Sequence, residues 1–468
     1  MNRPIRLPRP RVLAREHLER IHEAMLRILG KVGLRLRGPL VTEAAARLGL
    51  RVHGERAFFE RPMVEDFIAE TGPPPAPAGA ADPDPAIRLY VSQYCNHVHD
   101  IETDEIVPFT EERLIEATKF LDTMHPYSVV GRVPGSPMDV PQELYPLVQY
   151  KVGALYTRLG RRPPEVLTVE SAPYVMDLAE ALGRPITGAD VYIVSPLTVG
   201  DEALRIALAL RHRVKRVSVG SMTSHGGTTP IGVGDALAIA TAESLGSAII
   251  VREVVGLPVS WALRLCPFDP RAMSMTMGGP ESTLLVFANN ELQAWYEKRE
   301  PDPVGEFHTQ AKLPGAQAAA EKMSGLLLGA LQGARVFGGL GWLSLDEVFS
   351  AEQVVLDCEV RDHVQRLIAG LDGSCNPEAC VAEAAAGVAD TFFGLDSTVA
   401  QYRDFYWWPR LFFRGMRAEW EQAGRPEARA RAKAFVREQM QKYDFEPESE
   451  VRRVAEEIWA RAKREILG

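Results

Sequence analysis

The stretch Gly305–Trp342, GEFHTQAKLPGAQAAAEKMSGLLLGALQGARVFGGLGW, decides the reading of the chain. It spells a short extended run, a polar turn, a long helix of small residues and a second, glycine-rich run. That is the pattern of one βαβ unit, in which parallel strands are joined through a helical crossover. His308, Thr309, Gln310 and Lys312, then Gln317 and Glu321, fall where the strand hands over to its helix. Open parallel sheets and β/α barrels bind their ligands at that joint. Gln317 and Glu321 are four apart, so they share a helix face, and Gly325 and Gly329 continue the row and let the helix lie close to the sheet. Two readings of the pair stay open: residues favoured by the dipole of the helix N-terminus, or groups at a ligand site. Along the strand, Phe307 is expected beneath the helices, with His308 and Gln310 aimed inward.

Working outward, candidate strands at Ser128–Val133, Glu165–Glu170, Asp190–Ser195, Arg216–Ser221, Pro258–Leu265, Gly305–Gln310 and Arg335–Leu340 alternate with helices. The helices are expected near Val140–Leu159, Pro173–Leu182, Asp201–Leu210, Ile231–Val255, Pro280–Lys298 and Gly315–Gln332. Seven such units, with no Gly-x-Gly-x-x-Gly turn after the first strand, favour an α/β fold of the (β/α)8 TIM-barrel type over a doubly wound sheet. The eighth strand is placed at Ala389–Leu395. Ahead of the barrel (125–400), residues 1–124 read as helices, a Pro/Ala/Gly-rich loop at 72–85 and a strand pair. The arms of that pair are IRLYVSQY and ETDEIVPF, with its turn at Asn96–Asp100. Residues 401–468 read as a helical extension.

With 53 basic and 62 acidic residues, the formal charge is −9, so there is no basic surplus for nucleic acid. The basic N-terminal segment lacks the apolar core of a secretory signal, and no apolar run is expected to span a bilayer. Five cysteines in 468 residues suit free thiols in a reducing cytoplasm.

Several residue groups could carry chemistry. SQYCNHVHD, Ser92–Asp100, holds a His-x-His; His97 and His99, with His225 and His308, are a candidate ligand set for a metal-dependent barrel hydrolase. The loop Ser221–Gly234 is rich in glycine and hydroxyls but lacks the Gly-Lys-Ser/Thr of a phosphate loop. Arg264 is a candidate carboxylate clamp. Aromatic residues near expected strand ends, Tyr94, Trp261, Trp342 and Phe349, would suit a quaternary ammonium cation; core packing is the alternative for each. FYWW at Phe405–Trp408 adds a further aromatic run.

Taken together, LERIHEAMLRILGKVGLRL (18–36), HDIETDEIVPFTEERL (99–114), VSPL (194–197), PIGVGDALAIATAESLG (230–246), QAKLPGAQAAAEKMSGLLLGALQGARVFGGLGWL (310–343), SAEQVVLDCEV (350–360) and YWWPRLFFR (406–414) resemble, in order and spacing, the trimethylamine methyltransferase superfamily of corrinoid-dependent methyltransferases. The resemblance implies a TIM barrel and transfer of a methyl group from an amine to the Co(I) of a cobalamin carried on a separate corrinoid protein. The chain has no pyrrolysine, so it resembles the branch whose members demethylate quaternary amines such as glycine betaine. Ser397-Thr398 stands where many relatives have His-Thr.

On this reading Tyr94, Asn96, His97, Trp261, Arg264, His308, Gln310, Trp342 and Phe349 are the substrate-binding candidates. Ser221, Thr223, Lys312, Gln317 and Glu321 would face the corrinoid. No acid–base pair and no intrinsic metal are expected, because a quaternary nitrogen already leaves as a neutral amine and the cofactor brings the nucleophile. A homo-oligomer is an expectation from the long terminal helices. The rival readings are the metal-dependent hydrolase and a family member that binds a methylated amine without turnover.

Overall fold

Six parallel strands carry the centre of this mixed α/β molecule: β1 (Arg88–Val91), β2 (Val129–Gly131), β3 (Gly188–Tyr192), β4 (Arg216–Gly220), β5 (Val259–Ala262) and β6 (Val336–Gly338). The computed structural model describes residues 4–71, 86–159 and 162–468; the loop expected at 72–85 lies outside them. Strands β2, β1 and β6 form one parallel sheet with β1 in the middle, and β3, β4 and β5 form another with β4 in the middle. The first of these strands is thus bonded to the last.

Alternation along the strands separates two faces. Ala189, Val191, Val217, Val219, Val259 and Trp261 are buried in one apolar cluster with the helices. The residues between them form rows across the sheet in register: Asp190, Ser218 and Ser260, then Tyr192, Gly220 and Ala262. Asp190, Tyr192 and Ala262 on that second face are exposed, and Ser218, Gly220 and Ser260 half-buried. Small neighbours beside Asp190 and Tyr192 leave room that solvent enters.

The helices α1 (Arg15–Lys31), α2 (Val233–Val255), α3 (Pro280–Tyr296) and α4 (Ala316–Gln332) stand close to expectation, and α5 (Ala351–Ile368) is a helix that the sequence reading did not place. One expectation fails at α2. Its 23 residues are long and apolar enough to cross a membrane by length and composition, yet 78% of that apolar window is buried inside the molecule. α1 lies along it, and Glu243 sits in its middle with hydrogen bonds to Ser195, Leu197 and Thr223.

Five strand assignments are also corrected. IRLYVSQY does not pair with ETDEIVPF: β1 joins the parallel sheet, while a separate hairpin pairs His97–His99 with Ile106–Pro108. Pro258–Leu265 divides into β5 and a second strand, Leu265–Asp269, in another sheet. Glu165–Glu170 and Gly305–Gln310 carry no strand ladder. Ala389–Leu395 is the end of a helix followed by a 3-10 turn. The segment at 305–310 is instead fixed by side chains: Glu306 accepts from Gly278 N (3.2 Å) and Ser282 Oγ (2.5 Å), and Glu321 accepts from Thr309 Oγ1 (2.5 Å) and Gln310 N (2.8 Å).

The small-residue face of α4 does lie against this segment. A Cβ on Gly329 would stand 2.8 Å from the Gly305 Cα, so nothing larger fits without movement. Two turns back along α4, Lys322 is fully buried. Its Nζ donates to Asp357 Oδ2 (2.6 Å) on α5 and to Gly339 O (2.9 Å), and it stands 4.8 Å over the Phe307 ring. Asp357 also accepts from Gly341 N (2.8 Å) and Gln353 Nε2 (2.7 Å). The pair therefore ties two helices to the glycine turn after β6, where Gly339 adopts φ +99 and a Cβ would stand 2.6 Å from Phe307 O.

Removing one member of a buried pair leaves an uncompensated charge, so Lys322→Met is expected to lower unfolding free energy by about 3–5 kcal/mol. Urea denaturation measures this; a loss below about 1 kcal/mol, the usual worth of an exposed pair, would contradict the role given to it.

Candidate functional site

Because β1 to β6 run parallel within their sheets, their C-terminal ends and the loops beyond them present side chains toward common ends of those sheets. Gln93 and Tyr94 follow β1, Arg132 follows β2, Tyr192 closes β3, Arg264 follows β5 and Trp342 follows β6. Glu165 links the two tyrosines: Tyr94 Oη donates to its Oε1 (2.6 Å) and Tyr192 Oη to its Oε2 (3.2 Å). Gln93 Oε1 accepts from Arg132 Nη1 (3.0 Å) and from Glu165 N (3.3 Å), which sets the height of that carboxylate. Tyr94 meets Trp342 edge-on, with ring centroids 5.9 Å apart, and His308 lies 5.5 Å from Trp342 on a tilted plane.

The electrostatics describe a partly desolvated chamber. Burial, then the hydrogen bond to Glu165, raises the Tyr94 hydroxyl far above its usual range; burial and Glu165 do the same to Tyr192. Both phenols are neutral donors at any ordinary pH. Asp190 is open to solvent at the mouth, yet the protein packed around it partly desolvates its carboxyl and raises it; Glu165 adds to the rise, and Arg132 and Arg216 oppose it. Burial also raises Asp346, against the pull of His308 and Arg264. Among the described residues, neither Arg132 nor Arg264 has a carboxylate within ion-pairing distance. Three buried polar atoms here make no hydrogen bond: Arg132 Nε, Trp342 Nε1 and His308 Nδ1, the last of which faces Glu306 Oε1 at 3.5 Å. Buried polar groups are ordinarily satisfied, so three such atoms in one region suit a ligand or ordered water.

The structure brings together Tyr94, Arg264, His308 and Trp342 of the residues singled out in the sequence. It places the others differently. Trp261 packs against Tyr296 at 5.4 Å on the helix side of the sheet, and Phe349 stacks on Phe109 in the core. Asn96 Oδ1 pairs with His97 Nδ1 (2.7 Å) at the start of the hairpin. Ser221 and Thr223 are buried and bonded to each other, with Thr223 donating to Glu243 (2.9 Å). Gln310 Nε2 donates to Met275 O (2.7 Å), and Lys312 Nζ to Ser344 Oγ (2.8 Å). Gln317 donates to Glu321 (2.9 Å), which holds the 309–310 backbone.

Gln93, Arg132, Glu165, Asp190, Tyr192 and Asp346 were not singled out. For Asp190 and Tyr192 the signal was present in the alternation of GADVY, where Ala189 and Val191 take the apolar face.

The four histidines of the hydrolase reading are not gathered. His99 is bonded to Ser350 and Asp104, His225 to Ile231 O, His97 to Asn96, and His308 stands by Trp342. Among the described residues, the set close enough to hold a metal is His99, Asp104 and Glu352. Its carboxylates already meet Arg429 (2.6 Å to each) and Lys433 (2.8 Å to Asp104).

A carboxyl group raised on folding binds its proton more tightly in the folded state. Folding stability then falls as pH climbs from the unfolded value through the folded one. Asp190→Asn is therefore expected to stabilise the protein at neutral pH, with the gain fading as pH drops below the ordinary aspartate range. Thermal unfolding across pH tests this; a gain that is equal at acid and neutral pH would contradict it.

The family model described as trimethylamine methyltransferase matches residues 3–465. Trimethylamine methyltransferase of Methanosarcina barkeri (strain Fusaro / DSM 804) is 28% identical over 280 residues, 60% of this chain and 56% of that protein. The aligned chain thus spans little more than half the length of that relative. The trimethylamine methyltransferase of Desulfitobacterium hafniense (strain DSM 10664 / DCB-2) aligns over 92% of this chain and 90% of its own length at 25% identity. Glycine betaine methyltransferase of Desulfitobacterium hafniense (strain Y51) is 23% identical over 76% of each chain. The solved monomethylamine methyltransferase of Methanosarcina barkeri superposes with a TM-score of 0.41 at 10% identity, covering 92% of this chain and 94% of that one. With its family model running over nearly every residue, the chain belongs to the trimethylamine methyltransferase family.

Proposed function

We propose that this chain is a cytoplasmic methyltransferase of (β/α)8-barrel architecture that takes a methyl group from a quaternary ammonium carboxylate of the glycine betaine kind. The acceptor is the Co(I) of a corrinoid carried by a separate protein. The bonding of β1 to β6 supports the barrel; on this reading the irregular stretches near 165 and 305 would fill the two gaps between the parallel sheets. On this reading β1 belongs to the barrel, which then begins before residue 125. Three reduced cysteines, Cys95, Cys266 and Cys358, are buried and two exposed, which suits a reducing compartment.

The observation that carries the substrate class is the meeting of two chemistries at the strand ends. Tyr94, Tyr192 and Trp342, with Glu165 and Asp190 behind them, offer aromatic faces and negative charge to a cation. Arg132 and Arg264, lacking carboxylate partners of their own, offer a fork to an anion. A ligand with both charges satisfies both sides. Trimethylamine, the substrate named for several relatives, has no group for the guanidinium side.

A docked, reduced corrinoid supplies the nucleophile. This chain's own residues would strip water from the ammonium group, hold the carboxylate at the guanidinium side and keep one methyl turned to the open end. No side chain has to move a proton, since the amine leaves neutral. The open end suits a flat macrocycle: Tyr192, Val194, Met222 and Met273 are exposed there at 50%, 60%, 42% and 74%.

The test mixes the protein with a reduced corrinoid protein and a panel of glycine betaine, other betaines, choline and trimethylamine, following the Co(I) absorbance. Loss of that absorbance with a betaine is expected. Binding of betaine without any loss would indicate a non-catalytic member, and turnover with trimethylamine alone would refute the substrate class. Arg264→Gln is expected to raise the betaine KM by about 10- to 100-fold, the worth of a charged hydrogen bond, while leaving binding of choline unchanged. An equal effect on both ligands would assign Arg264 a different role. Trp342→Leu should weaken both, by about 3- to 30-fold.

A further inference from the structure

Glu243 stands in the middle of α2 with none of its surface open to solvent, among Ala240, Ala242, Leu245 and Ala248. Burying a carboxyl group is costly unless hydrogen bonds replace its water. Among the described residues its hydrogen-bond partners are all neutral. Ser195 Oγ (2.5 Å) and Thr223 Oγ1 (2.9 Å) donate to its Oε1, and Leu197 N donates to its Oε2 (2.7 Å). A leucine would suit the surrounding apolar cluster better, so what this side chain contributes lies in where it holds its three donors.

The donors belong to two loops. Thr223 lies on the loop after β4, which has support of its own: Thr223–His225 runs in a parallel ladder with Leu265–Pro267. Ser221 Oγ also reaches Thr223 Oγ1 (3.1 Å) and Ser244 Oγ (3.3 Å), and Ser244 Oγ donates to Ala262 O (3.2 Å) at the end of β5. Ser195 and Leu197 lie on the loop after β3, which has less. Its two sides meet in a single bridge, Val194 to Thr198. Leu197 adopts φ +45, a left-handed backbone that a bulky residue takes only when held there. Arg35 N donates to Leu197 O (2.8 Å), and Glu243 takes the Leu197 N–H on the other side. Glu243 therefore fastens a weakly supported loop to a firmly supported one.

Both loops belong to the open end of the strands. The first leaves β3 at Tyr192, whose hydroxyl is bonded to Glu165, and carries Val194 and Pro196 exposed. The second carries Met222 exposed between the buried Ser221 and Thr223. Glu243 makes no hydrogen bond to Tyr94, Arg132, Arg264 or Trp342, so it has no direct hold on the space assigned to the amine. We infer that Glu243 is a positioning residue for the corrinoid protein: it fixes the lip that carries Val194 against the lip that carries Met222, and so shapes the surface on which that protein seats. The inference rests on the reading of the open end given under the proposed function. It adds a residue of the helix layer that governs docking without touching either substrate.

The test uses the full chain and measures binding of a corrinoid protein and of glycine betaine separately, by calorimetry. Glu243→Leu is expected to weaken binding of the corrinoid protein by about 10-fold, within what one or two lost hydrogen bonds cost, and to leave betaine affinity unchanged. Amide hydrogen exchange of the free variant is expected to quicken only at residues 193–198. Glu243→Gln is expected to restore most of the binding: its amide oxygen can accept from Leu197 N while its NH2 donates to the two hydroxyls, which can turn to accept. Should Glu243→Leu not fold, Ser195→Ala with Thr223→Val removes two of the three donors and is expected to separate the two affinities in the same way. Equal loss of both affinities, loss of neither, or a Gln variant no better than the Leu variant overturns the inference. A wild type that binds the corrinoid protein yet transfers no methyl group refutes the proposed function, and the binding measurements still decide the role of Glu243. A wild type that does not bind the corrinoid protein overturns both.

Discussion

The ion pair between Lys322 and Asp357 is the constraint on which the site's last wall depends. Neither group touches solvent, and desolvation alone pulls the lysine's pKa down and the aspartate's up, with each partner's charge opposing the shift. Such a pair survives only where the remaining hydrogen-bonding capacity is also met. Here Gly339 O, Gly341 N and Gln353 meet it. Two of those three groups are backbone atoms of the turn that delivers Trp342. The position of the indole is therefore set by charges buried two helices away from the ligand space, and not by the two-residue strand it sits on.

The same economy of backbone pairing recurs on the neighbouring wall. Residues 305–310 have no ladder, so Glu306 and Glu321 take over the hydrogen bonds that strands would make. Side-chain anchoring of this kind fixes the His308 ring beside Trp342, with Nδ1 making no hydrogen bond but facing Glu306 Oε1 at 3.5 Å. Across the chamber, Glu165 does for Tyr94 and Tyr192 what the buried pair does for Trp342. Tyr94 and Tyr192 are held through their hydroxyls by one shared carboxylate and Trp342 through the backbone of its turn, which keeps the three ring faces available to a cation. Nothing among them forms the nucleophile–base geometry of an acyl-transfer or hydrolytic centre.

Helices were legible in the sequence because their periodicity and punctuation agree: Asp201–Leu210 and Pro280 as the start of α3 are read directly from the acidic first turn and the N-terminal proline. Short strands were less so. Glu165–Glu170 has the composition of a strand, but its backbone bonds to the Gln93 side chain and its first residue serves the site. Arg132 and Glu165 lie in loops, where no period marks which way a side chain turns. Lys322 and Asp357 are 35 residues apart, and only packing of α4 on α5 shows that they meet. Trp261 was misread for the converse reason: on a strand, one step in register exchanges the ligand side for the helix side.

A structure of the protein with glycine betaine bound tests the central claim most directly. The account predicts the trimethylammonium group within about 6 Å of the ring centroids of Tyr94, Tyr192 or Trp342, and the carboxylate hydrogen-bonded to Arg132 or Arg264. A ligand seated elsewhere, or with its carboxylate turned to solvent and both guanidinium groups left unpaired, would contradict it.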